Sequence, residues 1–302
     1  MSWLVFALCG PVLWATSTHL DKYLVERYFK DTDVVVLLLF TALMGLALMP
    51  LIATFEPGVF RRDALSIALM SLSGILYMGA IVFYLRALQG HEASVVAPFF
   101  QSSPLFGYAL AYFILGEKLT GTQLAGGALI VFGVLFVSIG FGPKRERFRW
   151  RLAALMIACG FVLSLSTLIF KAFALRDEFW ATTFWMFAGE AVFGACFLSI
   201  GTYRGQFFKL LRSNGSALLA INASNELINV GGGLSNRYAL LFAPLSIVQA
   251  IGSTTTLFVF AIGVMVTLLF PKLSREDLSA REFVSKGIAA VLVAAGVTLV
   301  SR

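Results

Sequence analysis

Charged residues fill only 13% of these 302 positions and hydrophobic ones 59%, a balance that leaves a soluble globule without its polar coat. Histidine is rare: His19 and His91 both sit near the ends of apolar runs, and no paired-histidine metal motif exists. The three cysteines, Cys9, Cys159 and Cys196, lie inside apolar runs without paired or ligand spacing, which excludes a disulfide framework and a zinc site. A nucleotide-binding P-loop and a Gly-flanked serine elbow are also missing, which argues against an ATP-driven pump and against a membrane-embedded enzyme. No catalytic residue, metal or cofactor is expected. The chain start lacks a basic n-region and a small-residue cleavage site, so the first apolar run is expected to remain as a permanent helix.

What the chain has in abundance is long apolar runs. A hydrocarbon core about 30 Å thick takes roughly 20 helical residues to cross. Four charge-free runs meet that length: Val34 to Phe55, Ala64 to Leu85, Ala93 to Gly116 and Leu119 to Pro143. Further spans are expected at Met1 to Thr18, Leu152 to Phe170, Phe179 to Ile200, Ser216 to Asn236, Pro244 to Thr267 and Gly287 to Val300. These runs are about twice as long as barrel strands and apolar all round, so the expected fold is an all-α integral membrane protein with ten transmembrane helices. Its partners would be membrane lipids and a small-molecule substrate.

The formal net charge of +7 does not point to nucleic acid, because the basic residues lie between the spans. Sixteen of the 23 Lys and Arg fall in loops after the odd-numbered spans, led by Lys144, Arg145, Arg147, Arg149 and Arg151. The positive-inside rule then places that central loop in the cytoplasm and both termini outside. A homodimer stays open, since an apolar surface looks alike facing lipid or a second copy.

Short echoes link the two halves. Ala87-Leu88, followed by Ser94-Val95-Val96, returns 152 positions later as Ala239-Leu240 and Ser246-Ile247-Val248. Cys9-Gly10-Pro11-Val12-Leu13 returns 150 positions later as Cys159-Gly160-Phe161-Val162-Leu163, and Gly133-Val134 returns as Gly296-Val297. The expected organisation is a five-helix repeat at 1–141, a basic linker at 142–151 and a second repeat at 152–302. Five is odd, so the halves would cross the membrane in opposite senses, as two inverted repeats.

The stretch Tyr84, Ala87-Leu88, Ala93, Val95-Val96, Pro98, Pro104, Leu115-Gly116-Glu117, Gln123, Gly126-Gly127-Ala128-Leu129-Ile130 and Gly133-Val134 resembles the drug/metabolite transporter superfamily in its EamA-like, ten-helix branch. Leu13-Trp14 followed by Lys22, and Leu163-Ser164 followed by Lys171, are similar to that branch as well. The second half departs from it, with Ser164 in place of the aromatic and Phe270-Pro271-Lys272 where a Gly-Glu pair is expected. The resemblance implies alternating-access transport of a small organic solute in a bacterial cytoplasmic membrane. It names no substrate within amino acids, sugars, nucleotide sugars, amines and drugs. Some ten-helix relatives carry both termini in the cytoplasm, opposite to the charge count.

Polar residues in mid-span mark where a solute could bind. A charged side chain at the bilayer centre costs at least ~2.5 kcal/mol, so Glu190 and Glu226 should face protein or a cavity. Asn222, Glu226, Asn229 and Gly233 follow helical steps of four, three and four and so share one face. Glu226 on that stripe is a candidate for proton coupling and substrate binding, or else the centre of an interhelical hydrogen-bond cluster. Glu190 has fewer polar companions and is a candidate for coupling or for a bond to a neighbouring helix. Gly231-Gly232-Gly233 fits close helix packing, and alternatively an unwound ligand site.

Gln101 with Pro104 and Tyr108, and Gln249 with Ser253 and Thr256, recur in corresponding parts of the two halves. Gln101 and Gln249 are the stronger candidates, because a primary amide in hydrocarbon needs partners. Trp14 and Tyr84 are candidate substrate contacts through the family pattern, and Tyr77 and Trp185 through the attraction of aromatic faces for cations. A flippase for a lipid or lipid-linked group, with a cavity open sideways to the bilayer, is the rival reading; Pro98 and Pro104 fit a bent, rocking element in either case.

Overall fold

The computed structural model describes residues 2–29, 32–90, 96, 102–138, 150–176 and 178–269, together with 284, 288, 291–292 and 295–299. The helices are α1 (Ser2–Arg27), α2 (Val35–Phe55), α3 (Ala64–Gly90), α4 (Ser102–Leu110), α5 (Gly121–Ser138), α6 (Trp150–Ala174), α7 (Phe179–Ser199), α8 (Gly201–Ala239), α9 (Leu245–Gly252) and α10 (Thr255–Leu269). The described residues among 284–299 are helical too, and no strand occurs among the described residues.

Among the described residues, six helices are long and apolar enough to cross a membrane, lying at Trp3–Arg27, Val35–Phe55, Ala64–Gln89, Arg151–Ala174, Phe179–Ser199 and Leu245–Val266. The solvent preference is inverted relative to a soluble protein. Phe113 is 82% exposed, and Leu105, Leu65, Phe132 and Leu51 also stand outside. Inside lie Ser17, Thr41, Ser164, Ser166, Asn222, Asn225, Glu190 and Glu226. An apolar outer surface of this extent belongs in lipid, and the chain is an integral membrane protein.

Local chemistry sets the helix ends. Asp63 caps α3, accepting from the Ser66 backbone N–H at 2.9 Å, and hydrogen bonds from Ser66 hold its carboxyl below the ordinary carboxylate range. Thr120 and Gln123 form a reciprocal capping box at the start of α5. A π-helical turn, Ala111–Leu115, ends α4 at Gly116, whose φ of 66° suits glycine.

Three element bounds differ from the sequence reading. α1 runs on to Arg27, where Asp21, polar and half-buried, finds a partner in Asn225 of α8. The loop expected at 201–215 is helical, and only Ile200 separates α7 from α8. The ninth span breaks at Ser253 and Thr254 into α9 and α10, where the Ser253 and Thr255 hydroxyls donate to the carbonyls of Ala250 and Gly252 and bend the helix.

Helix contacts recur in matching pairs. α1 lies against α8 as α6 lies against α3; α2 meets α8 as α7 meets α3; and α4 meets α6 as α10 meets α1. α2 also pairs with α7, and α4 with α9. Val34 to Phe40 is buried residue by residue, so the start of α2 is enclosed by protein on every side.

Candidate functional site

Between these helices lies a cavity of about 210 Å³. Its polar lining includes Ser17, Asp21, Thr41, Glu226, Asn229 and Arg237, facing the aromatic Trp14, Tyr77 and Tyr84. α1, α3 and α8 contribute most of these, because their polar residues recur at steps of three and four and therefore share one face of each helix.

Glu226 sits at the centre. Thr41 of α2 donates to its Oε1 at 2.7 Å, while Oε2 has no hydrogen-bond partner among the described residues. A buried carboxylate oxygen without a partner is costly, and it is positioned to take a proton or a donor from a solute. Asp21, four residues before Val25 on α1, is fixed by Asn225 Nδ2 at 2.8 Å, and Ser17 donates to Asn225 Oδ1 at 2.8 Å. Arg237 lies two turns beyond Asn229, with its guanidinium over the rings of Tyr77, Phe170 and Phe187 and Nη2 3.8 Å from Glu190 Oε1.

Of the residues singled out from the sequence, Trp14, Tyr84, Glu226, Asn229 and Gln249 line this cavity. Gln249 donates to Ser164 Oγ at 3.2 Å. Asn222 is buried but lies off the lining, and neither of its side-chain polar atoms has a partner. Glu190 stands behind Arg237 and is also off the lining. Trp185 donates to Val59 O at 2.8 Å, away from the cavity. Gln101, Pro98 and the side chain of Thr256 lie outside the described residues. The glycine triplet stays helical, and a β-carbon on Gly232 would sit 3.0 Å from the Trp14 indole, a close-packing role.

Sequence reading missed Asp21, Asn225 and Arg237. Arg237 had a signal, since it continues the stripe one step of four past Gly233. Asp21 follows Trp14 and Ser17 at helical steps, but its depth became visible only with the longer α1.

A second charged cluster joins the halves at one end of the bundle. Lys171 of α6 pairs with Glu117 Oε1 at 2.5 Å and donates to Ala243 O at 2.6 Å; Glu117 Oε2 accepts from the Leu245 N–H at 2.9 Å. The link therefore ties the turn after α4 to α6 and to the start of α9. Among the described residues, no group of three or more His, Cys, Asp and Glu is placed to hold a metal ion.

Residues 1–139 match the model of the EamA-like transporter family. A curated relative from Salmonella typhimurium, named a probable amino-acid metabolite efflux pump, is 28% identical over 153 residues, 48% of this chain. The chain spans about half the length of that relative, the match covering 51% of it. One solved crystal structure covers 99% of this chain with 95% of its own, at a TM-score of 0.69 and 15% identity, and shares the fold.

Proposed function

We propose, from the match of residues 1–139 to the EamA-like transporter family, that this chain is a secondary transporter of small polar metabolites in a bacterial cytoplasmic membrane. The observation that carries this reading is the central cavity, lined by polar and aromatic side chains from one face each of α1, α3 and α8 inside an apolar exterior. Its volume falls below the ~300–1,000 Å³ of drug-sized sites, which favours a small solute over a lipid headgroup with its chains. The relative's name points to amino acids or their derivatives as the first class to test.

The mechanism is alternating access by two inverted five-helix halves, 1–141 and 152–302, joined by the basic linker 142–151. The reciprocal packing of α1 on α8 and α6 on α3 supports this plan, because each half offers the same surfaces to the other. In such a device one end opens as the other closes. We assign to the Lys171–Glu117 ion pair the role of keeping one end shut.

Glu226 is the coupling residue. Its carboxylate is held by a single hydroxyl, so binding or release of a proton changes the charge facing the solute. Glu226→Gln keeps the Thr41 contact and the volume but cannot change charge. In proteoliposomes this variant is expected to lose the dependence of solute flux on a pH gradient, with flux falling roughly ten- to a hundredfold, the loss of one charge-assisted hydrogen bond. Flux and pH dependence like wild type would remove Glu226 from the mechanism.

A further inference from the structure

We propose that Arg237 is the receptor for a carboxylate group on the transported solute, with Glu190 as its resting partner. The proposal deepens the transporter reading and rests on it. Arg237 is mostly buried, its side chain 12% exposed, and it lines the cavity. Its guanidinium carries five N–H donors and a permanent charge. Yet among the described residues it donates no hydrogen bond: the nearest carboxylate oxygen, Glu190 Oε1, is 3.8 Å away, too far for one, and that oxygen is itself without a hydrogen-bond partner.

The fork is oriented all the same. Ring centroids of Tyr77, Phe170 and Phe187 lie 5.7, 5.5 and 5.9 Å from its central carbon, which fixes the planar group by its faces. Glu190 balances the charge, as a lone cation among apolar helices requires, without occupying the donors. An oriented guanidinium with unfilled donors beside a cavity matches a carboxylate, which takes two parallel N–H bonds.

The rest of the lining limits what that carboxylate belongs to. Asp21 and Glu226 face the same space, so a solute with a second negative group is repelled, while an ammonium group is attracted to them and to the faces of Trp14 and Tyr84. A zwitterion, negative toward Arg237 and positive toward Asp21 and Glu226, leaves the net charge of the cavity unchanged. An α-amino acid is the smallest solute with that pattern.

The test is ligand binding by the purified full-length protein in nanodiscs, followed by thermal shift and calorimetry. The probes are the common L-amino acids and their matched primary amides, L-leucine and L-leucinamide among them. At least one acid is expected to stabilise the protein, with its amide inert. Arg237→Gln combined with Glu190→Gln, a neutral pair that leaves no unpaired charge to unfold the protein, is expected to raise Kd at least about a hundredfold, two charge-assisted hydrogen bonds lost. Arg237→Lys is expected to recover part of the binding, charge without the fork.

Equal binding of acid and amide by the wild type, or wild-type affinity in the double variant, overturns the proposal. So does the absence of any response to acids. Flux measurements in proteoliposomes keep this site and the transporter reading apart. Transport of amides with no response to acids overturns the Arg237 site and leaves the transporter. Binding of an acid that fails in the double variant, with no flux of any probe, upholds the site and overturns transport.

Discussion

Gly189→Ala is expected to cost the protein about 3 kcal/mol and to lower its melting temperature in detergent by several degrees, although the change adds a single methyl group. At the crossing of α3 and α7 the two backbones touch: a β-carbon on Gly189 would overlap the Ser71 carbonyl, and one on Gly74 would overlap the Met186 carbonyl. Neither neighbour is a flexible side chain, so the helices themselves must separate. That separation reaches the site, because Met186 and Tyr77 on these helices line the cavity.

Gly79→Ala is the matched control. It lies on α3 as well, and its β-carbon meets nothing within 4 Å. There the usual preference of helices for alanine over glycine should leave stability unchanged or raise it by up to ~1 kcal/mol. Equal effects at Gly79 and Gly189 would contradict the close crossing.

The second large effect is expected at the Lys171–Glu117 link. Lys171→Met leaves the Glu117 carboxylate, only 18% exposed, without its cation, and removing one partner of such a buried pair costs ~3–5 kcal/mol. Lys171→Met with Glu117→Gln should regain most of that loss, because no uncompensated charge remains. On the alternating-access reading the pair keeps one end closed, so with Cys9, Cys159 and Cys196 replaced by Ser and Ser246→Cys introduced, the double variant is expected to fold yet label faster with a cysteine reagent than the same protein with the pair intact. Unchanged labelling would mean that the link is structural and not part of access.

Much of this architecture could be read directly from the residues. Run length and low charge identify the helices that are long and apolar enough to cross a membrane, six of them among the described residues, since lipid demands about 20 apolar residues and little else does. The stripe on α8 was legible for the same reason: Glu226 and Asn229 follow the helical period, and their polarity could be tolerated only on an inward face. Harder to read were features set by contacts between distant segments. Nothing local in Thr18 to Arg27 says that the helix continues, because the stabilising contact is Asn225, more than 200 positions away. Lys171 and Glu117 each match the family pattern, but their meeting depends on how α6 packs against α4. Arg237 looked like a loop residue because it closes a span whose far end is polar, and only the aromatic faces of α3, α6 and α7 reveal its position.

The most direct test of the central claim is solute counterflow in proteoliposomes holding the full-length protein. Vesicles preloaded with an unlabelled L-amino acid and diluted into the labelled form should accumulate label transiently and saturably, and the Glu226→Gln variant should respond differently to an imposed pH gradient. Label accumulation no greater than in protein-free vesicles, for every amino acid and amine tried, would contradict the account.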